Sequence, residues 1–168
     1  MKPLPPDITK LRADPIPPMP ENVEVEQRLL GAVLTSNAEF RRVAGIVQPE
    51  DFAYAAHQRI FGAIEKLLQT GIEANPVTLA PYVETDEALR EVGGARYLVK
   101  LVRCAVSVTA AVDYAYLVVD LAIRRRLGSD LFNPEPGKDC LDVLGEHRDR
   151  MDCLRRAKSR IGVGGDVP

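Results

Sequence analysis

The chain has 168 residues, 46% of them hydrophobic and 27% charged, which is enough for one globular domain that needs no disulfide or metal to fold. Its 22 basic and 24 acidic residues leave a net charge of -2, which excludes attraction to nucleic acid or an anionic membrane through overall charge. The chain has three cysteines, an odd number, and no secretory signal, so we expect reduced thiols and a cytoplasmic location. No apolar run approaches the roughly 20 residues that span a bilayer, so we expect no membrane segment.

The first 20 residues hold seven of the thirteen prolines and little hydrophobic periodicity, which predicts a disordered, Pro-rich arm. Apolar residues at three- and four-residue spacing then predict a first helix over residues 21–34 and a second that begins near Ser36. Glu21, Glu24 and Glu26 fall near the start of the first helix, where the helix dipole favours acidic side chains.

Residues 48–69 predict one continuous core helix, because their apolar side chains recur at helical spacing. Pro49 suits the first helical position, and Gly71 suits a left-handed residue just past the end. A helix with one apolar stripe must pack against other helices in water. The stripe consists of Ala53, Ala56, His57, Ile60, Phe61, Ile64, Leu67 and Leu68.

Three shorter helices are predicted over residues 77–83, 86–92 and 95–102, with Gly93 and Gly94 separating the last two. Pro81 fits the first of these helices only if it falls in the first turn. No stretch of useful length alternates as a strand does. The sequence therefore predicts an all-α fold.

The helix predicted over residues 109–127 is apolar nearly all round. Between Ala110 and Ile123 its charged residues are Asp113 and Asp120, which are one heptad apart and share one narrow stripe. Such a helix has to be covered on more than one side, and a second subunit can supply one of the covers. We therefore predict that this helix mediates oligomerisation. A last amphipathic helix is expected over residues 140–157.

The run from Met19 to Leu34, with its Glu-x-Glu-Gln element and its Leu-Gly pair, resembles the opening of the N-terminal domain of the DnaB-type bacterial replicative DNA helicase. The resemblance covers about residues 20–127. It departs from the family before the last helix, where Val106-Ser107-Val108-Thr109-Ala110 replaces the usual Pro-Ser-Ala-Ala-Asn. Other residues stand in the family's order and close to its spacing: Asp51-Phe52, His57, Ile60-Phe61, Val77-Thr78-Leu79-Ala80, Gly93-Gly94, Tyr97-Leu98 and Tyr114-Ala115.

The resemblance implies a helical head at residues 21–92, a helical hairpin at 95–127, a linker with one helix at 128–160 and a flexible tail at 161–168. In the family, paired hairpins join six subunits into a collar. A homo-oligomer is therefore implied, either a dimer or a hexamer built as a trimer of dimers. The implied interface residues are Leu98, Leu101, Val102, Tyr114, Leu117, Val118 and Leu121. The implied core signature is Phe52, His57, Ile60, Phe61, Leu79 and Tyr97.

In the family, the collar and the linker helix form a docking surface for primase. Primase and the replicative helicase are therefore the implied partners. The family's motor domain would follow the linker, but the chain has no Gly-Lys-Ser or Gly-Lys-Thr phosphate-binding loop. We expect no ATPase and no cofactor in this chain alone, with ATP and magnesium confined to the motor domain. The candidate docking residues on the linker are Leu141, Leu144, Met151 and Leu154.

Two other groups of residues invite catalytic or metal-binding interpretations. His57 follows Glu50 and Asp51, but a histidine on an apolar stripe with no adjacent Ser or Cys nucleophile is usually a packed, hydrogen-bonded core residue. Cys140, His147 and Cys153 do not share one helix face and lack a fourth ligand. We therefore predict neither a catalytic residue nor a metal site.

The basic residues concentrate at Arg124-Arg125-Arg126 and again near the end of the chain. Acidic residues are interleaved with them, so solvated faces and a position in the last helical turn explain most of the pattern, and we expect weak nucleic-acid contact or none. The alternative function is a stand-alone helicase regulator or antagonist, or a nucleic-acid-binding helical protein that reuses the collar fold. The later basic residues are Arg155, Arg156, Lys158 and Arg160.

Overall fold

The computed structural model describes residues 19–105, 107, 109–132, 144–152 and 156. Within these ranges the chain is helical and has no strand, which confirms the all-α prediction. Residues 144–152 are helical and are called the C-terminal helix. The α-helices before it are α1 (Val23–Thr35), α2 (Asn37–Val43), α3 (Ala55–Gln69), α4 (Pro76–Thr85), α5 (Glu87–Glu91), α6 (Ala95–Cys104) and α7 (Ala111–Phe132). Most of the predicted arm and the whole predicted tail lie outside the described residues.

Helix α1 is the element around which the others pack, since it contacts α2, α3, α6 and α7. Leu29, Leu30 and Val33 on its apolar stripe are completely buried. The Asn22 side chain caps its start by accepting a hydrogen bond from the backbone N–H of Val25 at 3.1 Å. The predicted helix over residues 21–34 is thus present, displaced by two residues at its beginning.

Glycine at position 31 allows α1 and α6 to approach each other closely. A Cβ atom built on Gly31 would overlap the carbonyl oxygen of Leu101 and would lie 3.2 Å from the backbone nitrogen of Ala105. Both atoms belong to the backbone, which cannot rotate away as a side chain can. The absence of a side chain at Gly31 therefore sets the distance between the two helices.

The predicted continuous helix over residues 48–69 is interrupted. Pro49–Asp51 forms a 3-10 turn, residues 52–54 leave the helical path, and α3 begins at Ala55. The Asp51 carboxylate accepts a hydrogen bond from the backbone N–H of Gln48 at 2.8 Å, which closes the short turn. The core assignment from Ala56 onwards is right, since Ala56, His57, Ile60, Phe61, Ile64 and Leu67 are all buried.

Pro81 lies well inside α4 and not in its first turn, which differs from the expectation. A proline removes the hydrogen bond that its N–H would give to the carbonyl four residues earlier, here that of Val77. Val77 is 81% exposed, so water can satisfy that carbonyl. Pro81 itself is also exposed, which keeps the lost hydrogen bond out of the core.

Helices α6 and α7, predicted as the two arms of a hairpin, both pack against α1 and make few direct contacts with each other. Helix α7 runs through Gly128 and ends at Phe132, not at residue 127. The part of α7 from Asp120 to Leu127 faces the C-terminal helix. Ile123 and Leu127 line a space of about 310 Å³ there, together with Leu144 and Met151. None of the helices in the described ranges is long and apolar enough to cross a membrane.

Candidate functional site

A buried polar network lies where α1, α3 and α6 meet. Glu26 on α1 is 2% exposed and His57 on α3 is 0% exposed. The Nδ1 atom of His57 is 2.6 Å from Oε2 of Glu26, and its Nε2 atom is 2.7 Å from Oη of Tyr97. The Glu26 carboxylate also accepts a hydrogen bond from the backbone N–H of Ala53 at 2.6 Å. One carboxylate thus ties α1 to the start of α3.

The direction of the hydrogen bond between His57 and Glu26 follows from the carboxylate. Because a carboxylate accepts and does not donate, Nδ1–H of His57 donates to Glu26, and Nε2 forms its hydrogen bond with the Tyr97 hydroxyl. Gln27 Nε2 donates to the Tyr97 oxygen at 3.1 Å. Burial raises the pKa of Tyr97, against the Gln27 hydrogen bond, which lowers it. Both ring nitrogens of His57 are therefore used within the chain, and neither is left for a substrate or a metal.

The burial of Glu26 was not predicted, although the sequence carries a signal for it. Glu26 precedes Leu29, Leu30 and Val33 by three, four and seven residues, so it belongs to their apolar stripe. A carboxylate at such a position requires a buried partner, because an unpaired charge in a core is very costly. His57, on the apolar stripe of α3, is that partner.

A second buried carboxylate, that of Asp51, lies where the two ends of the described domain meet. Its Oδ1 atom is 2.6 Å from Nη2 of Arg150 on the C-terminal helix and 3.0 Å from Nη2 of Arg126 on α7. Arg125 Nη2 donates to the Asp51 carbonyl at 2.5 Å, and Arg125 Nη1 donates to the Pro20 carbonyl at 3.0 Å. Burial lowers the pKa of the Arg125 guanidinium, against the attraction of nearby carboxylates.

The arginines at positions 124–126 have partners inside the chain, which corrects the interpretation of this cluster. Arg124 forms an ion pair with Asp120 at 2.8 Å, and Arg125 and Arg126 bind Asp51 as described above. Because α7 continues to Phe132, the three arginines do not occupy its last turn. Their internal contacts explain why they are concentrated here. Arg155, Lys158 and Arg160 lie outside the described residues.

The predicted interface residues divide by burial. Three of them are buried in the core of the chain, with at most 1% of their surface exposed: Leu98, Leu101 and Val118. Three are half-buried: Val102, Tyr114 and Leu121. Leu117 is 49% exposed, so it offers more surface to a partner than the other six. The predicted interface therefore rests on Leu117 and its half-buried neighbours.

The residues of the predicted core signature lie in or against the hydrophobic core. Tyr97 is half-buried beside His57, and the others are almost completely buried: Phe52, His57, Ile60, Phe61 and Leu79. Phe61 packs between Phe40 and Phe52, with ring centroids 5.4 and 5.2 Å apart. Such contacts stabilise this part of the core.

The linker residues predicted to dock a partner are described only in part. Leu144 is exposed and Met151 is half-buried against the core, whereas Leu141 and Leu154 lie outside the described residues. Cys140 and Cys153 of the metal hypothesis lie outside them as well. In the part of the chain that the structure describes, no group of three His, Cys, Asp or Glu side chains could hold a metal ion.

Replacing Arg150 with alanine tests whether Asp51 anchors the C-terminal helix. We expect amide hydrogen exchange across residues 144–152 to become about fivefold faster, because local opening no longer breaks the ion pair. The global free energy of unfolding should fall by about 1 kcal/mol or less, since the Arg150 side chain is 37% exposed and Asp51 keeps Arg126. The control is Arg148→Ala, at an exposed position on the same helix, and hydrogen-exchange mass spectrometry is applied to both variants. An equal increase in exchange for Arg148→Ala would contradict the proposal that Asp51 anchors this helix.

Comparisons with known proteins support the resemblance. The family model described as "DnaB-like helicase N terminal domain" matches residues 18–120. A protein named "Replicative DNA helicase DnaB" from Rickettsia felis is 43% identical over 114 residues, which are 67% of this chain and 23% of that relative. The protein of the same name from Geobacillus stearothermophilus is 33% identical over 161 residues, which are 90% of this chain and 34% of that relative.

The fold has a solved counterpart in the crystal structure of the N-terminal domain of DnaB helicase from Mycobacterium tuberculosis. The TM-score is 0.62 at 28% sequence identity, and the match covers 80% of this chain and 98% of that chain. The chain spans between about a quarter and a third of the length of these curated relatives. Glu26, Asp51, His57 and Tyr97 all fall within the matched residues 18–120. Since the family model matches more than half of the chain, the protein belongs to the DnaB-like helicase N-terminal domain family.

Proposed function

We propose that this chain is the assembly and docking domain of a DnaB-type replicative DNA helicase, active in DNA replication and without an ATPase of its own. Membership of the DnaB-like N-terminal domain family carries the proposal. The described residues hold no candidate catalytic cluster, and both ring nitrogens of the central histidine are engaged within the core. The surface of the helices is therefore where we place the function.

Helix α7 supports the assembly part of the proposal. One of its sides packs against α1 and buries residues such as Val118 and Val119. Its other side carries Leu117, which is exposed although it stands in an almost uninterrupted apolar run. Burial of such a large, exposed apolar side chain against a partner is favourable, because it removes apolar surface from water. A second copy of the chain is the partner that we propose.

The first experiment measures self-association. We expect sedimentation velocity at micromolar concentration to show dimers or larger assemblies, and we expect Leu117→Glu to weaken the association by at least about tenfold, because the charge would be buried in the contact. Val77→Glu is the matched control, since Val77 is exposed on α4 and not on α7. A wild-type chain that stays monomeric, or a Leu117→Glu variant that assembles as the wild type does, would contradict the proposal.

Docking to other proteins is tested separately. Primase and full-length replicative helicase are the two partners that we propose, and each can be mixed with the purified chain in the same sedimentation assay. Comigration with either partner supports docking. Absence of both complexes at concentrations where the chain self-associates would restrict the proposed function to assembly.

A further inference from the structure

The exposed side of α6 carries a row of positive charge around one apolar residue. Arg96, Lys100 and Arg103 stand at positions i, i+4 and i+7, which places them on one face of the helix. All three are exposed, and α6 contains no acidic residue to offset them. Together with Val99, which is 44% exposed, they line a hollow of about 320 Å³. We call these three cations and Val99 the α6 stripe.

In the part of the chain that the structure describes, none of these cations forms a hydrogen bond or an ion pair. Lys100 Nζ lies 5.8 Å from the centroid of the Tyr97 ring, which carries no charge. The Glu84 carboxylate reaches the first turn of α6, where it accepts from the backbone N–H of Ala95 at 3.3 Å. The α6 stripe is therefore available to an external polyanion. By contrast, several arginines on other helices pair with carboxylates: Arg28, Arg42, Arg59 and Arg124.

The length of the α6 stripe fits the backbone of a stacked single strand of DNA. Arg96 and Arg103 are seven residues apart, so they span about 10.5 Å along the helix. Three nucleotide steps of about 3.4 Å each cover nearly the same distance along a strand. The three cations can therefore face neighbouring phosphates while the strand runs beside α6.

Val99 offers a contact for a base beside the phosphates. The bases of a single strand can turn an apolar face towards a side chain, whereas those of a duplex are stacked inside it. The methyl group of thymine adds an apolar contact of its own. The four residues of the α6 stripe have no side-chain acceptor for a 2′-hydroxyl, the group by which proteins distinguish RNA from DNA. These features favour single-stranded DNA over RNA, a duplex or an acidic peptide.

We propose that the α6 stripe binds single-stranded DNA, with its three cations at neighbouring phosphates and Val99 against a thymine base. The inference goes beyond the assembly and docking function proposed above and does not depend on it. It is compatible with the net charge of -2, because salt screens charges that lie more than about 10 Å from the strand. The site also differs from the arginines of α7, whose partners lie inside the chain.

The salt dependence of binding tests the phosphate contacts. Fluorescence anisotropy of a labelled oligothymidylate of about 20 nucleotides measures the association constant across a range of salt concentrations. Three neutralised phosphates predict a slope of about -2 for the logarithm of this constant against the logarithm of the salt concentration. A triple variant with Arg96→Gln, Lys100→Gln and Arg103→Gln should bind at least about tenfold more weakly at low salt, with a slope near zero.

A second triple variant is the matched control. Arg41→Gln, Lys66→Gln and Arg148→Gln remove the same charge from exposed positions on α2, α3 and the C-terminal helix. Because these three cations do not share one face of a helix, the control should bind the oligothymidylate as the wild type does. Circular dichroism checks that both triple variants are folded.

The base contact has a test of its own. Val99→Tyr should strengthen binding of the oligothymidylate by about fivefold or more, because an aromatic ring stacks on a base. The salt slope should stay unchanged, since the number of phosphate contacts is the same. Such a gain cannot result from a loss of folding. Oligouridylate and duplex DNA of the same length should bind the wild type more weakly than the oligothymidylate.

Several results would overturn the inference. They are no binding by the wild type at low salt, equal losses in the two triple variants, or no gain for Val99→Tyr. Equal binding of oligouridylate or duplex DNA would show that the site does not select single-stranded DNA. Displacement of the oligothymidylate by polyglutamate as readily as by unlabelled DNA would assign the α6 stripe to an acidic protein. Sedimentation without DNA tests the proposed function, so the failure of one proposal is distinguishable from the failure of the other.

Discussion

Replacing Glu26 with alanine is expected to lower the free energy of unfolding by about 3–5 kcal/mol. The substitution removes the carboxylate that accepts from Nδ1–H of His57 and from the backbone N–H of Ala53. The Nδ1–H of His57 would remain in the core without an acceptor, since Glu26 and His57 are almost inaccessible to water, and the half-buried Ala53 amide would lose its partner. Urea denaturation followed by circular dichroism measures the loss.

Glu24 provides the matched control for this substitution. It lies on the same helix two residues earlier, and it is exposed and paired with Arg28 at 2.5 Å. Because water screens this pair, Glu24→Ala should cost about 1 kcal/mol or less. If Glu26→Ala lowered the free energy of unfolding no more than Glu24→Ala does, the buried network would not stabilise the fold as its contacts indicate.

The Gly31→Ala substitution is expected to cost about 2–3 kcal/mol, although alanine normally favours a helix over glycine. The new Cβ atom would overlap the Leu101 carbonyl oxygen and lie 3.1 Å from the carbonyl carbon, so the backbone of α6 would have to move away from α1. Leu101 is completely buried, and the movement would loosen its packing. Thermal denaturation should show a clear fall in Tm.

Gly62 serves as a control with the opposite expected sign. It lies within α3, and the nearest atom outside its own helix to a Cβ atom built there is Cγ of Pro49, at 4.0 Å. Gly62→Ala should therefore stabilise the protein by about 0.5–1 kcal/mol through helix propensity. If Gly31→Ala also stabilised the protein, the close approach of α1 and α6 would not be a constraint on the fold.

The helices were predictable from the sequence because a period of 3.6 residues is visible in a short window. The interruption between Pro49 and Ala55 was not, since several of the contacts that hold it are distant in the chain. Asp51 is bound by Arg126 and Arg150, which lie 75 and 99 residues away, and no local pattern indicates such contacts. The same distance explains why the partners of Arg125 and Arg126 were not predicted from the sequence.

The surface of α7 shows a second limit of sequence reasoning. Leu117 is exposed and Val118 is buried, although they are adjacent and both apolar. In a helix that is apolar nearly all round, periodicity cannot tell which side faces the core, so the packing on α1 decides it. The sequence likewise does not show that α6 and α7 both pack on α1 with few direct contacts between them.

The contacts around Asp51 also have a practical consequence for engineering. Arg125 binds the carbonyls of Pro20 and Asp51, and Arg150 binds the Asp51 carboxylate, so the first and last described segments of the domain meet at one corner. A domain with adjacent ends can be spliced into a surface loop of an unrelated host without forcing the loop apart. Residues 19–152 would then project from the host as a side arm.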